Sequence, residues 1–161
     1  MTTVYLSLGS NMGDRAENIA RAIEALASHG VRVTRQSSLY ETEPVDVKDQ
    51  GWFLNSVIEA ETDRAPTELM DVLLGIERGL GRKRRVPKGP RVIDIDILLF
   101  GSTVARTPEV KIPHPRMTER RFVLVPFAEI APGARHPGLQ KTIAQLLDET
   151  PDRSQLRRFT A

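Results

Sequence analysis

Apolar positions along the chain switch between a period of two and a period of 3.6, and the switches outline its elements. Thr2 to Leu8 alternates loosely and predicts a first strand. The turn Gly9-Ser10-Asn11-Met12-Gly13-Asp14 follows. A helix from about Asp14 to Ser28 then places Ile19, Ala22, Ile23, Leu26 and Ala27 on one stripe. Asp14 and Glu17 have the spacing of an N-terminal capping box. Gly30 ends that helix. Val31 to Tyr40 predicts a second strand, Glu41 to Gly51 a loop, and Trp52 to Glu61 a third strand antiparallel to the second. A helix opening at Pro66 carries Leu69, Val72, Leu73, Ile76 and Leu80 on one face. The apolar run that follows Gly89-Pro90 and stops at Gly101 predicts a buried strand. The order β-α-β-β-α-β predicts an α+β, ferredoxin-like core, an antiparallel sheet with helices packed on one face. Beyond it, a short helical turn is expected from Met117, and a sheet or sheet-edge segment over Phe122 to Pro126. A last helix is expected over Thr142 to Thr150, and a frayed polar tail over Asp152 to Ala161.

A chain of 161 residues suits one domain, residues 1–161, with a real core. Hydrophobic content of 40% and charged content of 27% exclude a disordered chain. No apolar run approaches the roughly 20 residues of a membrane span. There is no basic-then-apolar leader at the N-terminus, and there are no cysteines. The absence of cysteine excludes disulfides, thiolate metal sites and Cys nucleophiles, and fits a reducing cytoplasm, the expected location. A net charge of +2 is too small to argue for nucleic-acid binding. Its distribution is more telling. Gly81 to Arg91 holds six basic residues, at 82, 83, 84, 85, 88 and 91, and no acidic one. Gly and Pro at both ends make this a loop of the kind that closes as a lid, and arginine forks match phosphate oxygens.

The strand that this loop feeds carries the candidate chemistry. Ile93, Ile95, Ile97 and Leu99 should face one way, and Val92, Asp94, Asp96 and Leu98 the other. Asp94 and Asp96 then project side by side, with Cβ atoms roughly 6–7 Å apart. Half-buried like charges that close oppose folding unless something positive answers them. Mg²⁺ is the natural answer, taking one or two carboxylates and filling its shell with water and phosphate oxygens. A solvated acidic pair at a strand end is the plainer alternative. Its apolar setting and the basic run upstream favour the metal and a nucleotide polyphosphate. Phe53 and Asn55 share a strand face and could stack on a flat heterocycle and read its edge, or serve as a core aromatic beside a strand-end amide. The Gly9 to Asp14 turn lacks the Lys-Ser/Thr ending of a phosphate loop, and Asp14 would repel an anion, so a tight connection is the favoured reading. His114, held between Pro113 and Pro115, joins Arg116, Arg120 and Arg121 as a potential anion donor.

Two long motifs, Gly89-Pro90-Arg91-Val92-Ile93-Asp94-Ile95-Asp96-Ile97-Leu98-Leu99 and Ile112-Pro113-His114-Pro115-Arg116-Met117, resemble one family: the 6-hydroxymethyl-7,8-dihydropterin pyrophosphokinases of folate biosynthesis. Arg120-Arg121-Phe122-Val123-Leu124, Leu8-Gly9-Ser10-Asn11, Ser38-Leu39-Tyr40-Glu41-Thr42 and Phe53-Leu54-Asn55 also fit, and the resemblance runs from about residue 3 to residue 150. It implies transfer of a diphosphate from ATP to the pterin hydroxymethyl group, with release of AMP. It implies that Asp94 and Asp96 hold two Mg²⁺ ions and act in catalysis with Arg82 and Arg91. Glu77, Arg82, Arg84, Arg91, Ile97, His114 and Arg120 would contact ATP. Thr42, Glu43, Val45, Phe53, Asn55, Asp94 and Phe122 would bind the pterin, with Phe53 and Phe122 sandwiching it. The expected partners are these two small molecules only, with no nucleic acid or membrane, and the chain is expected to act as a monomer. Three positions depart from the pattern. Lys88 stands where many members have a Trp that caps the pterin, so a weaker grip by the lid is expected. Glu109 and Lys111 replace residues that touch ATP in some relatives, and no nucleotide contact is assigned to them.

Two other readings of the same residues stay open from sequence. One is a ferredoxin-like RNA-binding module using the basic loop, which needs solvent-facing aromatics on central strands, where only Phe53 qualifies. The other is an ordinary Mg²⁺-dependent kinase, which would release ADP rather than AMP.

Overall fold

The computed structural model describes residues 1–43, 51–81 and 92–160. The basic loop 82–91, with Arg82, Arg84, Lys88 and Arg91, lies outside the described residues, as do Val45 and the rest of 44–50.

The elements run β1 (Thr2–Ser10), α1 (Arg15–Ala27), β2 (Val31–Gln36), β3 (Tyr40–Thr42), β4 (Phe53–Thr62), α2 (Pro66–Gly79), β5 (Asp94–Phe100), β6 (Ala105–Arg106) and β7 (Lys111–Ile112). A 3₁₀ turn at Met117–Glu119, α3 (Arg121–Ile130), α4 (Ile143–Glu149) and β8 (Leu156–Arg158) complete the chain. The main sheet has the order β5-β1-β4-β3-β8, with β2 also paired to β4, and its described pairings are antiparallel. This is the expected ferredoxin-like α+β core. The Asp14 signal acts where it was read, and a second cap at Ala65 joins it. Asp14 Oδ1 accepts the Glu17 amide at 3.1 Å and caps α1. The Glu68 carboxylate accepts the Ala65 amide at 2.7 Å at the start of α2.

The two faces of the sheet bury different cores. Val4, Leu6 and Leu8 of β1 join Ile58 of β4 and Ile93, Ile95 and Ile97 beneath α1 and α2. Val57, Leu98 and Leu99 join Met117, Leu124, Phe127, Ile143 and Leu146 beneath α3 and α4. The two helices of the βαββαβ core share one face as expected, and the C-terminal helices cover the second. Phe122 to Pro126, expected as a sheet segment, is instead the first half of α3. Val123, Leu124, Pro126, Phe127 and Ile130 are its buried residues; counted from Val123 they fall at 1, 3, 4 and 7, a spacing that is helical once the window extends past Pro126.

Three further expectations are corrected. Val31 to Tyr40 is not one strand. The Ser37 side chain accepts the Val57 amide at 2.9 Å, taking a place in the ladder that main chain would fill, and this splits β2 from β3. Glu41 and Thr42 consequently belong to β3 and not to a loop. Leu99 does not share a face with Ile95 and Ile97. The β1–β5 register slips between Tyr5/Leu99 and Leu6/Ile97, so Leu98 is an extra residue and both leucines enter the second core. Finally, the expected frayed tail is ordered over its described part, residues 152–160, because β8 pairs with β3 along Thr42↔Leu156, Glu41↔Arg157 and Tyr40↔Arg158; Ala161 lies outside the described residues. The Arg157 guanidinium lies 4.7 Å from the centre of the Trp52 ring and 3.0 Å from Glu41.

Among the described residues no helix is long and apolar enough to cross a membrane. Phe127 is fully buried, and its ring centre stands 4.8 Å from that of Tyr5, on the face that α3 covers. Phe127→Ala is expected to cost about 3–5 kcal/mol in denaturant unfolding. A change below about 1 kcal/mol would mean that α3 is not packed as described.

Candidate active site

β1 runs between β4 and β5, so residues from three strands meet in rows across the sheet. Gly9 registers with Asn55 on one side and Asp94 on the other, and Ser7 with Val57 and Asp96. These residues share the face opposite the α1/α2 core, because Leu6, Leu8, Ile95 and Ile97 alternate with them into that core. Asp94 and Asp96 are half-buried and neighbouring, as the alternation predicts. Gly9 supplies a gap between Asp94 and Asn55. A Cβ there would come within 2.6 Å of Asn55 Oδ1 and 3.7 Å of the Phe53 ring. Asn55, itself buried, donates from Nδ2 to Thr42 Oγ1 at 2.7 Å, which fixes the amide and leaves Oδ1 beside Gly9. Phe53 lies at the end of this floor, half-buried.

α3 stands over β4 on the same face and brings Phe122 and, at its cap, Arg120. The Arg120 guanidinium lies 5.5 Å from the centre of the Phe122 ring. Its Nε is buried with no hydrogen-bond partner, a donor that an anion would satisfy. His114 is fastened beside β5 by its amide, which donates to the Leu98 carbonyl at 3.1 Å. Its Nδ1 accepts the Arg116 amide at 3.2 Å, so the neutral ring carries its proton on Nε2, as a donor. Burial, together with the charges of Arg120 and Arg116, pushes the His114 pKa down to about 4. The ring is therefore a neutral hydrogen-bond donor at physiological pH.

The remaining sequence candidates fall at different depths. Glu77 is buried on α2, and its Oε2 accepts the Ile95 amide at 2.8 Å, clasping β5 between the two aspartates. The Ile97 side chain is buried in the first core, which leaves main-chain contact as the role open to it. Glu43 Oε1 accepts the Gln155 amide at 2.7 Å, so this carboxylate holds the C-terminal segment. Arg82, Arg84, Arg91 and Val45 lie outside the described residues. Sequence reasoning did not single out Gly9 as the floor. The signal was present, since Gly9 sits on the same alternation as Ser7, but it depends on a strand register that only pairing reveals. A groove of about 790 Å³ between α1 and α2 lies on the other face and contains none of these candidates except through the neighbours of Glu77.

Two adjacent carboxylates are the hard oxygen donors that Mg²⁺ takes, with the rest of its shell left to water and phosphate. The described residues hold no group of three or more His, Cys, Asp or Glu side chains able to form a closed metal cage.

The family model for 7,8-dihydro-6-hydroxymethylpterin-pyrophosphokinase (HPPK) matches residues 5–132. The chain belongs to this family. A 2-amino-4-hydroxy-6-hydroxymethyldihydropteridine pyrophosphokinase of Bacillus subtilis is 49% identical over 127 residues, which is 78% of this chain and 76% of that protein. Another from Aquifex aeolicus is 42% identical over 149 residues, 92% of each. Among solved structures, a Plasmodium falciparum HPPK-DHPS triple mutant with pteroate superposes with a TM-score of 0.70 at 18% identity, which shows a shared fold. The match covers 92% of this chain and 43% of that longer chain. The HPPK fold thus accounts for the ferredoxin-like core.

Two outcomes check this geometry. Gly9→Ala is expected to destabilise the chain by about 1–3 kcal/mol in denaturant unfolding, with part of the loss recovered in an Asn55→Ala background. For His114, the unfolded chain takes up a proton before the folded one does. Stability should therefore fall as pH drops from about 6.5 towards about 4. The fall in thermal midpoint over that window should be shallower in His114→Gln; equal slopes would show that His114 is not held neutral by the fold.

Proposed function

We propose that the floor formed by Asp94, Gly9 and Asn55, walled by Phe53 and Phe122, seats 6-hydroxymethyl-7,8-dihydropterin, and that His114 and Arg120 face the phosphates of ATP. As an HPPK the protein is an ATP-dependent diphosphotransferase that gives the pterin diphosphate and AMP, a step of folate biosynthesis. The single observation that carries the site is the half-buried pair Asp94 and Asp96, placed by register beside Gly9 and Ser7 at the sheet end where Asn55 and Thr42 also lie.

The pterin ring is flat, with donors and acceptors along one edge. Phe53 and Phe122 offer aromatic surface to its faces, and Asn55 and Thr42 offer hydrogen bonds to its edge. Its hydroxymethyl oxygen then attacks the β-phosphorus of ATP. The bond between that phosphorus and the oxygen bridging to the α-phosphate breaks, AMP leaves with that oxygen, and the hydroxyl proton is lost. Asp94 and Asp96 would hold Mg²⁺, two ions by family resemblance, which supplies charge neutralisation on the phosphates and orients the oxygens of the displacement. Arg120 supplies fixed positive charge, and the neutral His114 donates from Nε2 without repelling the guanidinium beside it. Little covalent work is left to the protein, so positioning carries most of the rate. The basic segment 82–91 would add arginine forks and exclude water, a competing acceptor. The burial of the second sheet face beneath α3 and α4 weighs against the RNA-binding alternative, which needs that face open for base stacking.

Incubation with ATP, Mg²⁺ and hydroxymethyl dihydropterin, followed by mass measurement, should give the pterin diphosphate with AMP as the nucleotide product. ADP with a monophosphorylated pterin would instead make the protein an ordinary kinase. Asp96→Ala should lower kcat by at least about 10²–10³ while the circular dichroism spectrum and thermal midpoint stay close to wild type. Unchanged turnover in that variant, or in wild type stripped of Mg²⁺ by chelator, would remove the metal from the mechanism.

A further inference from the structure

The helix that carries Phe122 begins without a cap of its own. α3 starts at Arg121, and the side chain of Arg120 at the cap position makes no capping hydrogen bond. The exposed amide is taken instead by a residue 31 positions downstream: Asp152 Oδ2 accepts the Arg121 amide at 2.8 Å. Asp152 Oδ1 meanwhile accepts from the Ser154 amide and hydroxyl at 2.9 and 2.5 Å, and Arg121 Nη1 donates to the Ser154 carbonyl at 2.8 Å. From there the chain crosses to the other wall of the site. The Glu43 amide donates to the Gln155 carbonyl at 3.3 Å, and Leu156 pairs with Thr42 in β3. The segment therefore touches the first turn of α3 at one end and the Thr42 strand at the other. It lies beyond residue 132, where the family match ends.

We propose that segment 152–160 is a strap that sets the separation of the two walls of the pterin pocket, with Asp152 as its positioning residue; this rests on the pocket assignment given above. The physical case is one of constraint. Phe122 is the second residue of α3, within the turn whose orientation the cap fixes, and Thr42 is held by the strand that the strap extends. An anionic cap at a helix start is favoured by the helix dipole as well as by the hydrogen bond. Burial would raise the Asp152 carboxyl, but the bonds from Ser154 and Arg121 outweigh it and hold it below the ordinary carboxylate range. The contact is thus made by the charged form. By linkage, a strap that prearranges the pocket must itself be tightened when the pocket is filled.

Steady-state kinetics on the full chain test this. Asp152→Ala should raise KM for hydroxymethyl dihydropterin about five- to tenfold and leave KM for ATP within about twofold, the size of effect a lost cap permits. Asp152→Asn, whose amide oxygen can still accept the Arg121 amide, should recover most of the loss. A purely structural role would lower the thermal midpoint but leave the pterin KM at 20 °C unmoved, and that result overturns the proposal. In case Asp152→Ala does not fold, wild-type hydrogen exchange with and without the dihydropterin alone gives a second measurement. Slower exchange at 152–158 on adding the pterin supports the strap, and unchanged exchange overturns it. A wild-type protein that forms no pterin diphosphate overturns the pocket assignment itself and the strap's role with it. An active wild type with an unchanged Asp152→Ala KM overturns the strap alone.

Discussion

The antiparallel ladder that clamps β1 between β4 and β5 is the constraint on which the other features rest. Once Gly9 is locked opposite both Asn55 and Asp94, the period of two decides every orientation nearby. Val4, Leu6 and Leu8 must enter the α1/α2 core, and Ser7 and Gly9 must face the other side. A one-residue slip of β1 would send its three aliphatic side chains to the other face, and one of β5 would send the two aspartates into hydrocarbon. Such exchanges lose apolar burial and strand charge, so one register is strongly preferred. The bulge at Leu98 lies beyond the aspartates, where it redirects Leu99 to join Leu98 in the second core.

Charge is arranged around that frame by depth. Asp94 and Asp96 are half-buried on the second face, and the hydrogen-bond donors on that face come from other elements, the Arg120 guanidinium from the start of α3 and the neutral His114 from the loop fastened to Leu98. Several surface carboxylates are matched with arginines. Glu41 meets Arg15 at 2.8 Å and Arg157 at 3.0 Å, and Arg15 is the larger influence holding its carboxyl below the ordinary range. Such surface pairs are each worth little alone. On the second face, the fold places a neutral histidine where a protonated one would add to the charges of Arg120 and Arg116.

Much of this architecture was legible in the residues. The β-α-β-β-α-β order, the Asp14 cap, the alternation that pairs Asp94 with Asp96, and the short turn at Met117 are local in origin. Each depends on residues within one or two turns or strand repeats of one another. The errors were all non-local. Phe122 to Pro126 looks like a strand because Val-Leu-Val-Pro is short and apolar; only its docking with Ile143 and Leu146 makes the helical stripe pay off. The polar segment at 156–158 carries no periodic signal, since its stability comes from backbone pairing with β3 and from guanidinium contacts to Trp52 and Tyr40.

The amino-acid sequence by itself determined which side chains could do chemistry and in what local order: two carboxylates at i and i+2, an aromatic and an amide at i and i+2, a histidine between prolines. Spacing along a strand and residue type are fixed by covalent connectivity, so no fold is needed to read them. Tertiary structure alone decided that Gly9 is the gap between those pairs, that Arg120 has a buried nitrogen to satisfy, and that Asp152 caps a helix begun 31 residues earlier. Those relations join elements far apart in the chain. Many pairings are compatible with the same local pattern, and only the simultaneous burial of both sheet faces selects among them.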